Sequence, residues 1–300
     1  FCTSLLHQFP FEADAGAGFE VLDDARQTQL LDKLTLDVML EGAAHPESAI
    51  GKALADAIKA AADQTFRELI MEAVGQRDTI EQWVARAGSL DAAIAQLSAA
   101  LGVGAHDSAA AIEDAILADG IDPALWLDIA AVLATGRKTD QDQSERFRRA
   151  AQSGGSGRFD AYVSIFCTGS QIGLAKRSCR KDVVTNSIRQ ANPEVAEMLD
   201  RERDRIGTLL DTLRAAECRD RTRALITVAH EVIVRYRNEK ARRGLLDYDD
   251  LIDRTLALFN RTSAAWVLYK LDLGINHLLL DEAQDTSPKQ WEIVRTIVSE

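Results

Sequence analysis

Proline is scarce in this chain, five in 300 residues, and aromatic side chains make up only 6%. Few breakers and few sheet-favouring rings leave helices as the expected structure. Cysteine is equally sparse. Cys2, Cys167, Cys179 and Cys218 stand far apart, with no Cys-x-x-Cys pair and no Cys/His cluster. That spacing argues against a zinc or iron–sulfur centre and makes free thiols in a reducing cytoplasm the simple expectation. No apolar run approaches the roughly 20 residues of a membrane span, and no secretory signal stands at the start. A phosphate-gripping loop is missing too. Residues 152–157 are rich in glycine and serine but lack the Gly-Lys-Ser/Thr ending, so they read as a flexible loop. Gly51-Lys52 is followed by Ala53 and fails the same test. The chain begins at Phe1 without an initiator Met and stops within an apparent helix, which suggests a piece cut from a longer protein.

What is present is a helix-forming, unevenly charged polymer. Its hydrophobic fraction of 46% supplies a core for one large or two ordinary domains. The net charge of −12 alone argues against a nucleic-acid partner, but the distribution does not. Residues 1–136 carry 7 Lys+Arg against 22 Asp+Glu, residues 137–243 carry 23 against 15, and residues 244–300 carry 5 against 10. A basic middle between acidic flanks is a candidate phosphate-facing surface, or else a set of solvated helix faces with paired charges. Its densest cluster is Lys176, Arg177, Arg180 and Lys181, with Arg189 beyond. Arg235, Arg237, Lys240, Arg242 and Arg243 form a second cluster. Contacts of this kind would be sequence-independent and salt-sensitive. No aromatic platform for base stacking is interleaved with them. Trp83, Trp126 and Trp266 lie on apolar helix stripes and are expected in the core.

Residues 23–136 read as short amphipathic helices, with Leu30, Leu31, Leu34 and Val38 on one buried stripe. Asp122-Pro123 is a helix start, the acid as cap and proline in the first turn. Asn192-Pro193 opens the longest helical run, reaching about Arg243 without a further proline. It is either one spine helix or two joined near Cys218. Two more helices are expected at 248–259, with Asp247 as its cap, and at 263–271. Then the period changes: Leu278, Leu279 and Leu280 lie between Gly274 and an acidic cluster, the pattern of a buried parallel strand. Ser287, Pro288 and Gln290 then make a capping box for a final helix.

The acidic cluster is the most informative segment. In an open α/β sheet, ligands bind beyond the carboxyl ends of strands. Asp281 there is suited to the Mg²⁺ that accompanies a nucleoside triphosphate, and Glu282 to polarising the water that attacks its γ-phosphate. Acidic pairs at strand ends are common, but Asp281-Glu282-Ala283-Gln284-Asp285 after three leucines is far more specific.

At these residues the sequence resembles motif II of the superfamily 1 helicases of the UvrD/Rep/RecB group, and Gln284 separates it from the DEAD-box pattern. Two further segments are similar to that group: Leu246 to Ile252 (Leu-Asp-Tyr-Asp-Asp-Leu-Ile), and the start, with Phe1-Cys2, Phe9-Pro10 and residues 19–23. The combination looks most like the AddA-type helicase–nuclease subunits of bacterial double-strand-break repair. The resemblance implies a mainly α fold, in which a large helical 1B-like insertion (20–245) interrupts a truncated α/β RecA-like ATPase domain, 1A (1–19 and 246–300). It implies ATP and Mg²⁺ as cofactors of the parent protein, DNA and an AddB-like subunit as partners, 3′–5′ polarity, and a bacterial, nucleoid-associated setting without membrane attachment. Glu282 would be catalytic, Asp281 the metal residue, and Gln284 and Asp285 the couplers to DNA-binding motifs. Without the phosphate loop these 300 residues are not expected to hydrolyse ATP, and without sister strands the leucine strand would present unpaired edges. Two alternatives remain at this point. One is a helical module whose acidic half docks a partner. The other is a metal-dependent nuclease using Asp247, Asp249, Asp250 and Asp281.

Overall fold

The computed structural model describes residues 1–16, 18–60, 63–104, 107–169, 173–260, 264–272 and 277–298. It is 76% helical with very short strands, a mainly α architecture. In chain order the elements begin with α1 (Cys2–Gln8), β1 (Glu20–Val21), α2 (Asp24–Ala44), α3 (Ala49–Ala60) and α4 (Asp63–Gly75). Next come α5 (Arg77–Ala87), α6 (Leu90–Ala100), α7 (Ala109–Ala118), α8 (Trp126–Leu133), α9 (Lys138–Gln152) and α10 (Gly155–Phe166). They are followed by β2 (Cys167–Thr168), β3 (Ser178–Cys179), α11 (Asn186–Ala191) and α12 (Pro193–Arg243). The chain closes with β4 (Leu245–Leu246), α13 (Tyr248–Phe259), α14 (Ala264–Asp272) and α15 (Pro288–Val298). It divides into two compact units, residues 1–77 with 225–300, and residues 78–224.

In the first unit, α12 ends at Gly244, whose φ of 66° is the left-handed conformation that glycine adopts without penalty. That reversal sends β4 alongside β1 as a parallel pair, with Glu20 opposite Leu245 and Val21 opposite Leu246. The core of this unit gathers Leu5 and Leu6 of α1 and Phe9 just after it with Leu251 and Leu258 of α13, Val267 of α14 and Ile293 of α15. On α2 the buried stripe is Leu31, Thr35, Val38 and Gly42. Leu30 and Leu34 are only partly covered, while Leu36 and Leu40 face outward.

The second unit is built around aromatic side chains. Trp126 stacks on Tyr162 with centroids 5.0 Å apart, and Phe166 meets Tyr162 edge-on. The polar ends of these rings are satisfied. Trp126 Nε1 donates to the Ile121 carbonyl at 2.8 Å, and the Tyr162 hydroxyl donates to Glu202 at 2.7 Å while accepting from Ile121 N–H at 2.8 Å. A buried ring with its polar handle paired is stabilising; unpaired it would carry a desolvation cost. Asp122 caps a short 3-10 turn at Pro123–Leu125 that leads into α8, as the Asp-Pro signal predicts.

The long run from Pro193 is one helix of 51 residues, which settles the choice between one helix and two. Ile206, Leu210 and Leu213 are buried within the second unit, and Ala229, Val232, Ile233 and Tyr236 within the first. In the first compact unit α2–α4 group with the terminal segments.

Three expectations need correction. Leu278, Leu279 and Leu280 form no strand; they are irregular and exposed, Leu279 by 94%. A strand needs a neighbour to complete its ladder, and no described strand lies beside this one. Residues 155–157 are the first turn of α10 rather than part of a flexible loop, with Gly155 at φ 55° opening the helix. Trp266 is 51% exposed, edge-on to Phe9 and under Lys270. Trp83 is half-buried, and Trp126 is in the core as expected.

Candidate functional site

The acidic segment follows the exposed leucines directly. Asp281 and Glu282 form a bend, Ala283–Asp285 a single 3-10 turn, and Thr286 an extended step into α15. Ser287 and Gln290 close the capping box: Ser287 N–H donates to Gln290 Oε1 at 2.8 Å and Gln290 N–H donates to Ser287 Oγ at 3.3 Å. Ile293 is buried and anchors this helix, and Lys289 pairs with Asp253 of α13 at 2.7 Å. The segment thus hangs from a fixed helix start.

Its carboxylates face outward. Asp281, Glu282, Gln284 and Asp285 are all exposed. Asp281 Oδ1 accepts the Glu282 N–H at 2.9 Å, and the Gln284 side-chain amide donates to the Glu282 carboxylate. Glu282 has φ 49° and ψ 42°, one of two non-glycine residues among those described with positive φ. A side chain in that region is strained by about 1 kcal/mol or more. Sequence reasoning brings these four residues together, and they are neighbours here.

Among the described residues no group of three or more His, Cys, Asp or Glu side chains converges as a metal cluster. Mg²⁺ does not need one. It keeps several waters and takes one or two carboxylates beside the phosphates of its nucleotide. An exposed Asp281 next to Glu282 fits that partial donor set.

The neighbouring acidic segment is built in the opposite way. Asp247 is fully buried. It caps α13 by accepting Asp250 N–H at 2.9 Å, and Asp250 returns the bond by accepting Asp247 N–H at 3.0 Å. Lys240 Nζ donates to Asp247 at 2.7 Å, the Tyr236 hydroxyl at 2.8 Å and Arg77 at 3.2 Å. Lys240 also pairs with Asp250, and Arg77 with Asp249. Burial pushes the Asp247 carboxyl up, but the bond and charge of Lys240, with Asp250 N–H and Arg77, carry it down to about 2. Asp250 moves the other way, raised by burial and by the Asp247 charge against the pull of Lys240. Burial and the Asp247 charge raise the Tyr236 phenol. These acids are already neutralised by the protein's own cations, which removes the structural basis for a nuclease built on Asp247, Asp249 and Asp250. Sequence reading finds the cap but misses its clamp, since Arg77 lies 170 residues away.

The basic middle is also largely committed. Arg177 is buried and pairs with Asp160 at 2.6 Å. Arg180 donates to the carbonyls of Ile165, Ser164 and Cys167 at the end of α10, and burial lowers its pKa. Arg189 pairs with Asp200, which raises its pKa. Lys176 and Lys181 are exposed. On α12, Arg205 donates to the last carbonyls of α7, and Arg219 to the carbonyls of Gly104 and Asp107. In the second cluster Lys240 is buried on Asp247, Arg235 bridges Glu231 and Glu41, and Arg242 and Arg243 pair with Glu239. Much of the positive excess therefore holds the helices to one another.

The model of the UvrD/REP helicase N-terminal domain matches residues 132–300, more than half of the chain and the whole acidic segment. No curated protein matches the chain.

Proposed function

The chain belongs to the UvrD/REP helicase family, and from that premise we propose that it is part of an ATP-driven, 3′–5′ DNA helicase of the AddA helicase–nuclease type, serving double-strand-break repair. The observation that carries this reading is the outward-facing Asp281–Asp285 segment inside the family match. Asp281 would hold Mg²⁺ through water. Glu282 would orient and deprotonate the water that attacks the γ-phosphate, and Gln284, bonded to the Glu282 carboxylate, would link that event to the DNA-binding parts with Asp285. Bound Mg²⁺ supplies charge neutralisation on the transferred phosphoryl group. The 300 residues contain no Gly-Lys-Ser/Thr loop, so ATP turnover belongs to a longer protein that carries one.

In such a protein, Glu282→Gln lowers ATP turnover by at least about 100-fold while binding of a fluorescent ATP analogue is retained. Turnover within about tenfold of wild type overturns the assignment. For DNA, the supporting observation is the exposure of Lys176 and Lys181 beside committed arginines. Replacing both with Ala should weaken binding to forked DNA and lower the slope of log affinity against log salt by about 1 per lysine. An unchanged slope removes them from the interface. A second reading, docking of an AddB-like subunit on the acidic half, is favoured by the outward-facing Leu36 and Leu40 of α2.

A further inference from the structure

The four cysteines are far apart in sequence, yet two of them meet. Cys167 of β2 and Cys179 of β3 are directly opposite each other in an antiparallel pair. Arg180 N–H donates to the Phe166 carbonyl at 2.8 Å, one residue outside that pair on each strand. The two cysteines therefore occupy a position without mutual backbone bonds, where Cα atoms approach to about 4.5 Å and side chains are closest. That spacing lies within the range of roughly 4.4–6.8 Å that a disulfide spans. The sulfurs are already 3.8 Å apart.

The two thiols differ in access and in charge. Cys167 is buried and Cys179 half-buried. The two thiols share a side-chain bond in which either sulfur can donate, and Arg214 and Arg203 of α12 add positive charge. Against burial and Asp211, these bring the Cys179 thiol down to about 7. The same bond, with burial, raises Cys167 despite Arg177 and Arg180. One sulfur is thus set up to attack and the other to resolve, the arrangement of redox-responsive pairs.

We propose that Cys167 and Cys179 are a reversible oxidation site that closes to a disulfide with hydrogen peroxide, linking β2 covalently to β3. Cys179 thiolate attacks the peroxide oxygen, the O–O bond breaks, and hydroxide leaves and takes a proton to become water. The sulfenic acid so formed is attacked by the Cys167 sulfur, which loses its proton as a second water departs. Two thiols are oxidised and one peroxide is reduced to two waters.

The test uses the 300-residue chain treated with equimolar hydrogen peroxide, blocked with N-ethylmaleimide and digested without reduction. Mass spectrometry should find a peptide linking Cys167 to Cys179, lost on adding dithiothreitol. Cys218→Ser should leave the link intact. Cys167→Ser should leave a dimedone-reactive sulfenic acid on Cys179. In the wild-type protein, with no dependence on how a variant folds, the alkylation rate of Cys179 should rise with pH about a midpoint near 7. A link to Cys2 or Cys218, oxidised Cys179 beside a maleimide-blocked Cys167, or a midpoint at the ordinary thiol value of about 8.5 overturns the proposal.

Discussion

Two acidic segments near the end of this chain share a composition and little else. Asp247, Asp249 and Asp250 open α13 with Lys240, Arg77 and the Tyr236 hydroxyl closed around them. Asp281, Glu282 and Asp285 precede α15 with their carboxylates facing outward. A carboxylate whose lone pairs are taken by protein donors is a bolt, because removing its partners leaves a buried charge. An exposed carboxylate costs the fold nothing and stays available for a cation. Both segments end in a capping box, so the local helix-start chemistry is alike and the surroundings make the difference.

The largest test of that contrast is Asp247→Ala. It removes the acceptor shared by the Tyr236 hydroxyl, Asp250 N–H and Lys240, leaving Lys240 paired with Asp250, and should cost about 3–5 kcal/mol in a urea melt; a loss below about 1 kcal/mol would break the comparison. Acid sharpens it. The folded Asp247 carboxyl sits below its unfolded value, so its contribution is present above the ordinary carboxylate range and is lost as pH falls toward about 2. Asp250, raised in the fold, works in the opposite sense as pH rises through its range. Asp247→Asn should therefore flatten the acid limb of stability against pH, and an unchanged limb would place the acid sensitivity elsewhere. Tyr236→Phe removes one hydroxyl donor to a charged group and should cost about 1.5–3 kcal/mol by the same melt. Smallest of all, the double change Asp281→Asn with Glu282→Gln should shift stability by no more than about 0.5 kcal/mol. A larger loss would mean the exposed segment is structural after all.

Legibility from sequence followed the range of the interaction. Helix starts at Asp122, Asp247 and Ser287, the long helix from Pro193 and the Trp126 core position were all readable, because caps and apolar periods act within a few residues. The leucine strand was misread because an apolar run implies burial only when a sheet exists to receive it. Trp266 was misplaced for a similar reason, since it meets Phe9 edge-on yet stays half exposed. The basic cluster looked like a phosphate surface because sequence does not show that Arg177 meets Asp160 or that Arg180 ends α10.

By itself, then, the amino-acid order determined a helical chain, where its helices begin, and a motif whose residue types suit nucleotide chemistry. These depend on neighbours a turn or less away. Only the tertiary structure decided which charges are spent. Arg77 reaches Asp247, Arg205 reaches the end of α7, and Cys167 faces Cys179 through pairings set by packing. A charge buried against a distant partner and one left in water are the same letter in the sequence, and the difference between them is desolvation.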